Sequence, residues 1–398
     1  MTPTPQDQHV WAGQAAAAIW RRLESRDFAG WDPYDAFNGE RLPRWAGASS
    51  TGRRLVTQAV KRSPFPLQPL LGVEPQDDAY TLGHALLAAA RMSEAGTLHS
   101  ATESCAGVLA RLREAARREG DALAWGYHFP VHTRFFSYAP PTPNLIVTAF
   151  VSKGLAAVTR AGLADCREEL RGAAAFVLQC LPRTVDASGQ CFGYVPGEPA
   201  AVHNANMLAA LLLCDAAQVC GEEHWVDEAV ACARFTVARQ AEDGSWPYSE
   251  ESCGRWVDGF HTGFVLEGLA RVVHATDDAG LEPALRRGVR YYVAQLFGPD
   301  GEPKYYPHRA HPLDALSAAQ GVETLHVALR DGAAHAVPGQ LDWIRRHLLR
   351  TDGRVAYQVH RGWTDWREFP RWSSAPLMSA LAGAAVCGGA SEAGGGGQ

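Results

Sequence analysis

Apolar residues along the chain recur at helical rather than strand spacing, in two distinct styles. Segments 10–26, 100–118, 164–181, 222–240, 283–296 and 339–349 mix charged and apolar residues at helical period, as helices with one wet face do. Segments 78–91, 144–158, 206–219 and 375–386 are apolar nearly all round, and 144–158 carries only Lys153 as a charge. Helices of that kind are buried on every side. Runs alternating at period 2 are few, which argues against a sheet. Half-wet and fully buried helices in alternation predict two concentric rings.

The alternation is punctuated by a recurring turn. It appears as Trp125-Gly126-Tyr127, Gly189 to Tyr194, Asp243-Gly244-Ser245-Trp246, Asp300-Gly301 before Tyr305-Tyr306, and Asp352-Gly353 before Tyr357. The spacing suits one pair of helices per turn. About six helices of each kind give an all-α chain, an (α/α)6 toroid of about six helical hairpins with a long irregular N-terminal arm. A linear solenoid of helix pairs has the same sequence signature, because closure of the ring is not a local property. The expected organisation is an outer helix and arm over 1–76, the remainder of a single barrel over 77–388, and a disordered tail over 389–398.

Composition removes several function classes. The net charge of −6 gives no basic footprint for nucleic acid, and no run reaches the length of a membrane span. The nine cysteines contain no CxxC pair and sit mostly in alanine-rich helical stretches, which reads as reduced thiols. With a polar start and no apolar leader, the expectation is a cytoplasmic protein. No GxxxxGK[ST] or GxGxxG opens a helix, so no nucleotide cofactor is expected. His203, Asp258, His261, His308, His311 and Asp314 offer ligand atoms, but without HExxH or tight His/Cys spacing no metal is expected either.

In a two-ring layout the loops entering the buried helices converge on one rim, and these loops hold the chemistry. His203, Asp258, His261, Tyr305 and Asp314 are the candidate catalytic set, since imidazole and tuned carboxyls perform acid–base work near neutrality. Asn204, Asn206, Trp125, Tyr127, Arg134, Asn144, Trp246, Trp256, Tyr306, Gln320, Trp366 and Trp372 are the candidate substrate-binding set. Their amides orient polar groups, and their rings offer flat faces to sugars or isoprenoids. Helix capping accounts for Asp258, Asp314 and Asn144 one at a time. It does not account for His, Asn and Tyr crowding the same positions. In the arm, Trp31 to Asp35 and Lys61 to Pro64 stand out, and Asp35 and Arg62 are candidates to reach the funnel.

Gln240 to Trp246 resembles the QW-type turn of terpenoid cyclases and protein prenyltransferases, with looser copies at Gln295 and Gln179. The six-hairpin architecture resembles glycosidases, polysaccharide lyases and sugar epimerases equally. Residues 31–35, 61–64, 202–206, 243–246, 260–264, 303–307 and 317–320 together resemble a bacterial family that accompanies surface-polysaccharide biosynthesis genes, and that resemblance implies no particular chemistry. The acids of the cyclases are missing: Asp77-Asp78 lacks the rest of DxDD and of DDxxD. The turn is therefore read as structural. The leading expectation is a carbohydrate-active hydrolase, lyase or epimerase taking a glycan or small-molecule substrate in a central funnel. An isoprenoid-transforming enzyme and a non-catalytic binding scaffold are the alternatives.

Overall fold

In the computed structural model, which describes residues 4–42, 47, 49–133, 135–276, 278–328 and 339–393, the two styles of helix become two rings. The chain runs through α1 (Pro5–Glu24), α2 (Ser50–Arg62) and the short α3 (Gln68–Leu71) into α4 (Ala79–Glu94) and α5 (Ala101–Ala115). Then follow α6 (Leu145–Arg160), α7 (Arg167–Ala175), α8 (His203–Cys220), α9 (His224–Val237), α10 (Gly259–Thr276) and α11 (Glu282–Leu296). The set ends with α12 (Ala315–Ala328), α13 (Gln340–His347) and α14 (Ser374–Ala393). Helices α4, α6, α8, α10, α12 and α14 pack side by side as the inner ring, and α14 returns to pack on α4. The ring is closed. Helix α1 lies on α14, so the hairpin that seals the toroid is made from the two ends of the chain.

Two boundaries differ from the sequence expectation. The arm is not wholly irregular, because α2 occupies Ser50–Arg62 with Ser49 capping it through the Gly52 N–H. Its flanking glycines and serines hide that helix from a periodicity argument. Helix α14 continues to Ala393, into the segment expected to be a tail; residues 394–398 lie outside the described residues.

The recurring turn has a structural cause. A Cβ on Gly189 would meet the Ala231 carbonyl of α9 at 2.2 Å, and one on Gly244 the Arg287 carbonyl of α11 at 2.6 Å. On Gly301 it would meet the Gln340 nitrogen of α13 at 2.4 Å, and on Gly353 the Ala18 carbonyl of α1 at 2.3 Å. Each of these four turns thus presses its glycine onto the next outer helix, the last one onto the first, whereas Gly126 abuts the Thr142 carbonyl in its own loop. Trp246 and Gln240 act in the same joint: the indole N–H donates to Thr236 (2.9 Å), and the Gln240 amide donates to Gly244 and Ala284 (3.0 Å each). The turn locks α9 to α11.

Because the inner helices begin at one level, residues equally far along them meet around the axis. The sixth residues include His84, Phe150, Phe264, Gln320 and Ser379; the His84 and Phe150 rings lie 4.9 Å apart and Phe150 and Phe264 5.3 Å apart. The ninth include Lys153, Glu267 and Glu323. Buried Lys153 bonds both Glu267 and Glu323, the latter at 2.8 Å, while Arg91 holds Glu323 with two bonds of 2.7 Å. The Gln320 amide donates to the remaining Glu267 oxygen at 2.9 Å. Burial by itself raises the Glu323 carboxyl, but Arg91 and Lys153 outweigh it and hold the group well below its ordinary range.

Removing one member of such a network leaves a buried charge unpaired. Lys153→Met is expected to cost about 3–5 kcal/mol of stability. Arg286→Ala, at the exposed ion pair with Glu282, is expected to cost about half a kcal/mol or less. Urea unfolding of both variants checks the contrast.

Candidate active site

Four of the six inner helices, α4, α6, α10 and α12, start on a capping side chain. Asp78 accepts from the Thr81 N–H, Asn144 from Val147, Asp258 from His261 and Asp314 from Ser317, at 2.7–3.0 Å. The capping reading of these residues is therefore correct, and it leaves atoms over for chemistry. The second oxygen of Asp258 accepts from Nδ1 of His261 at 2.6 Å and from the Trp256 indole at 2.9 Å. That contact fixes the imidazole tautomer and leaves Nε2 as a base. The Trp256 ring stacks on Tyr248 at 4.7 Å and 9°, and Tyr248 lies 4.6 Å from His261. Asn204, Trp246, Tyr248, Asp258 and His261 surround a void of about 10 Å³, room for one water.

Asp314 is fully buried, and burial raises its carboxyl above the usual range. The Ser317 hydroxyl and the Trp372 indole N–H face its carboxyl, while the buried Tyr357 hydroxyl has no hydrogen-bond partner among the described residues. Tyr305 sits between the acids: burial pushes its phenol well up, and both Asp258 and Asp314 add to that. Four of the five candidate catalytic residues thus gather on one side of the rim. His203 does not join them. Its Nε2 contacts Glu250 at 2.8 Å and its ring faces Phe235 of the outer helix α9.

The arm lies across this rim. Asp32 grips Arg371 with bonds of 2.5 and 2.9 Å, and the Arg371 guanidinium stands over the rings of Tyr127 (4.9 Å) and Phe129 (5.2 Å). Arg367, paired with Asp365, donates to the carbonyls of Val60 and Lys61 at the end of α2. Lys61 then reaches inward to the Tyr34 hydroxyl at 2.6 Å. Asp35 is buried within the arm, accepting from the Asp32 N–H, whereas Arg62 is exposed and Lys61 takes the inward position instead.

The candidate binding residues divide. Asn204, Trp256, Tyr127 and Trp372 belong to the rim, with Tyr306 at its lip beside Tyr305, ring to ring at 4.6 Å. Asn206 is spent on the scaffold, bonded to Phe192, Gln190, Cys232 and Thr236. Trp125 is buried with its N–H on the Leu112 carbonyl, and Trp246 belongs to the turn. Asn144 caps α6, Gln320 belongs to the axial network, and Trp366 lies under Arg350 at 4.0 Å. Arg134 lies outside the described residues. Asp32, Tyr34 and Lys61 were not among the site candidates, although all three fall in arm motifs that the sequence made conspicuous. A lone charge on an otherwise apolar helix was the signal that Lys153 needs a buried partner.

Open volume lies at the other end of the axis. A cavity of about 960 Å³ is lined there by residues from the C-terminal halves of the inner helices, among them Arg160, Asp215, Gln218 and Arg271. Arg160 and Arg271 share one oxygen of Asp215, at 2.9 Å each, tying α6, α8 and α10 together.

No protein-family model and no curated protein sequence matches the chain. Solved structures do. A family 76 α-mannanase from Bacteroides thetaiotaomicron superposes with TM-score 0.59 at 12% identity, over 77% of this chain and 86% of that one. A cellobiose 2-epimerase from Bacillus thermoamylovorans gives 0.59 at 10% identity, over 77% and 87%. A polysaccharide lyase gives 0.54 at 12% identity, over 79% and 90%. The chain has the (α/α)6 toroid fold that these proteins share.

The arm carries its own pH dependence. Burial, and next the neighbouring Asp32 charge, push Asp35 up to about 7. The unfolded chain releases that proton near pH 4, so between about 4 and 7 the folded state binds more protons and stability falls as pH rises. The loss is complete above the folded value, with a ceiling of about 4 kcal/mol. Asp35→Asn is expected to match the parent near pH 4 and exceed it at pH 8. Urea unfolding at the two pH values tests this; an equal difference at both rejects it.

Proposed function

We propose that the chain is a carbohydrate-active enzyme working by acid–base catalysis at the rim of the toroid. The observation that carries this reading is the Asp258–His261 pair set beside the stacked Tyr248 and Trp256 rings, with buried Asp314 and Tyr305 nearby. Nε2 of His261 takes the proton, and Asp258 stabilises the imidazolium that forms. Asp314, whose carboxyl burial raises above the ordinary carboxylate range, supplies a proton to the departing oxygen or to the carbon being inverted, directly or through the Tyr305 hydroxyl. The indole face of Trp256 and the ring of Tyr248 supply an apolar platform for one face of a sugar. Solved neighbours described as an α-mannanase, a cellobiose 2-epimerase and a polysaccharide lyase support a glycan substrate on this scaffold. Their three chemistries share this proton bookkeeping. In this reading the arm is the cover that lifts for substrate to enter.

The test is turnover against mannan, cellobiose and a uronate polymer, followed by reducing ends, epimer NMR signals and unsaturated-product absorbance. His261→Gln is expected to lower kcat about 10²- to 10⁴-fold with the melting temperature little changed. Asp314→Asn is expected to remove the alkaline limb of the rate profile along with most of the rate. Full activity in both variants would sink the proposal.

A further inference from the structure

Several charges at the rim are matched in pairs. Arg371 is taken by Asp32 and Arg367 by Asp365, while Asp258 is taken by His261 and Trp256. Lys61 has no carboxylate within ion-pair distance among the described residues. Its ammonium donates to the Tyr34 hydroxyl at 2.6 Å and stands 4.7 Å over the Tyr34 ring and 5.0 Å over the Trp372 ring. Asp314 lies within its field, but burial biases that carboxyl towards its neutral form. The ammonium is also aimed deliberately, because Arg367 holds the backbone carbonyls of Val60 and Lys61 at 3.3 and 3.1 Å. Next to it the Trp372 indole N–H faces the Asp314 carboxyl, and the Tyr357 hydroxyl, on a ring 6.5 Å from that of Trp372, is buried without a hydrogen-bond partner among the described residues. A half-buried cation, an indole N–H and an unpartnered hydroxyl are a set suited to oxyanion oxygens.

We propose that Lys61, with Trp372 and Tyr357, recognises an anionic group on the substrate, so that the rim takes a sugar bearing a carboxylate or a phosphate. This rests on the acid–base reading of the same rim and narrows its substrate class. The arm is then part of the site as well as its cover, since α2 delivers the charge. The competing account is that ring faces alone satisfy the ammonium. In that case the charge of a ligand makes no difference.

Calorimetric titration of the full chain with glucuronate, glucose 6-phosphate and glucose at fixed ionic strength separates the two accounts. One of the charged sugars is expected to bind at least about tenfold tighter than glucose, and which one it is distinguishes carboxylate from phosphate. Lys61→Met, which keeps the apolar stem, is expected to abolish the preference; Lys61→Arg is expected to keep it. Should Lys61→Met fail to fold, the parent decides, because the preference must shrink as sodium chloride rises. Equal binding of all three sugars, or a preference that survives Lys61→Met, overturns the inference while leaving the acid–base reading intact. Binding of none also overturns it, and the turnover assay with His261→Gln then judges the acid–base reading independently.

Discussion

Everything in this molecule hangs on the closure of the inner ring, where α14 packs against α4 and α1 covers the joint. Closure sets all six inner helices starting at one level, and that common level converts sequence position into depth along the axis. Lys153, Glu267 and Glu323 are far apart in sequence, yet each is the ninth residue of its helix and so they meet. Arg91 adds the second cation, and the charges balance inside the core. A solenoid with open ends would leave α14 without α4, and Arg91 would lose its contact with the Ser379 carbonyl across that joint.

The same constraint separates two ends with different characters. At the start of the inner helices, free N–H groups call for capping oxygens, and Asp78, Asn144, Asp258 and Asp314 supply them. Capping fixes each carboxyl or amide in place, which is what a catalytic constellation needs. At the other end the helices expose carbonyls, and basic side chains such as Arg91, Arg160 and Arg271 collect there. The rim is filled by rings and covered by the arm, whereas the far end is open. The Asp258–His261 pair and the open volume are therefore at opposite poles of the axis.

Three different activities among the structural neighbours make the scaffold a poor guide to reaction. The arm adds a second closure of the ring. Asp32 and Lys61 come from outside the helical repeat, and each engages a group at the last turn of the toroid, Arg371 or Trp372. The arm thus bridges the first and last parts of the chain above the same joint that α1 and α14 seal below. Fold closure and site closure are one feature.

Sequence by itself determined the helical class, the alternation of half-wet and buried helices, the turn repeat and the rim on which polar groups gather, because each is a local pattern of period or punctuation. It also marked Asp258, His261, Tyr305 and Asp314, since polar residues at the start of an apolar helix are conspicuous. Tertiary structure decided where side chains point. His203 and Asn206 belong to the same short motif, yet α8 turns the first towards Glu250 and the second into the joint with α9, away from the funnel. It decided as well that Lys61 rather than Arg62 faces inward, because a helix in the arm sets the rotation and nothing in its own periodicity names the partner it will meet. Contacts between distant segments depend on how the ring closes, and closure is a property of the whole chain.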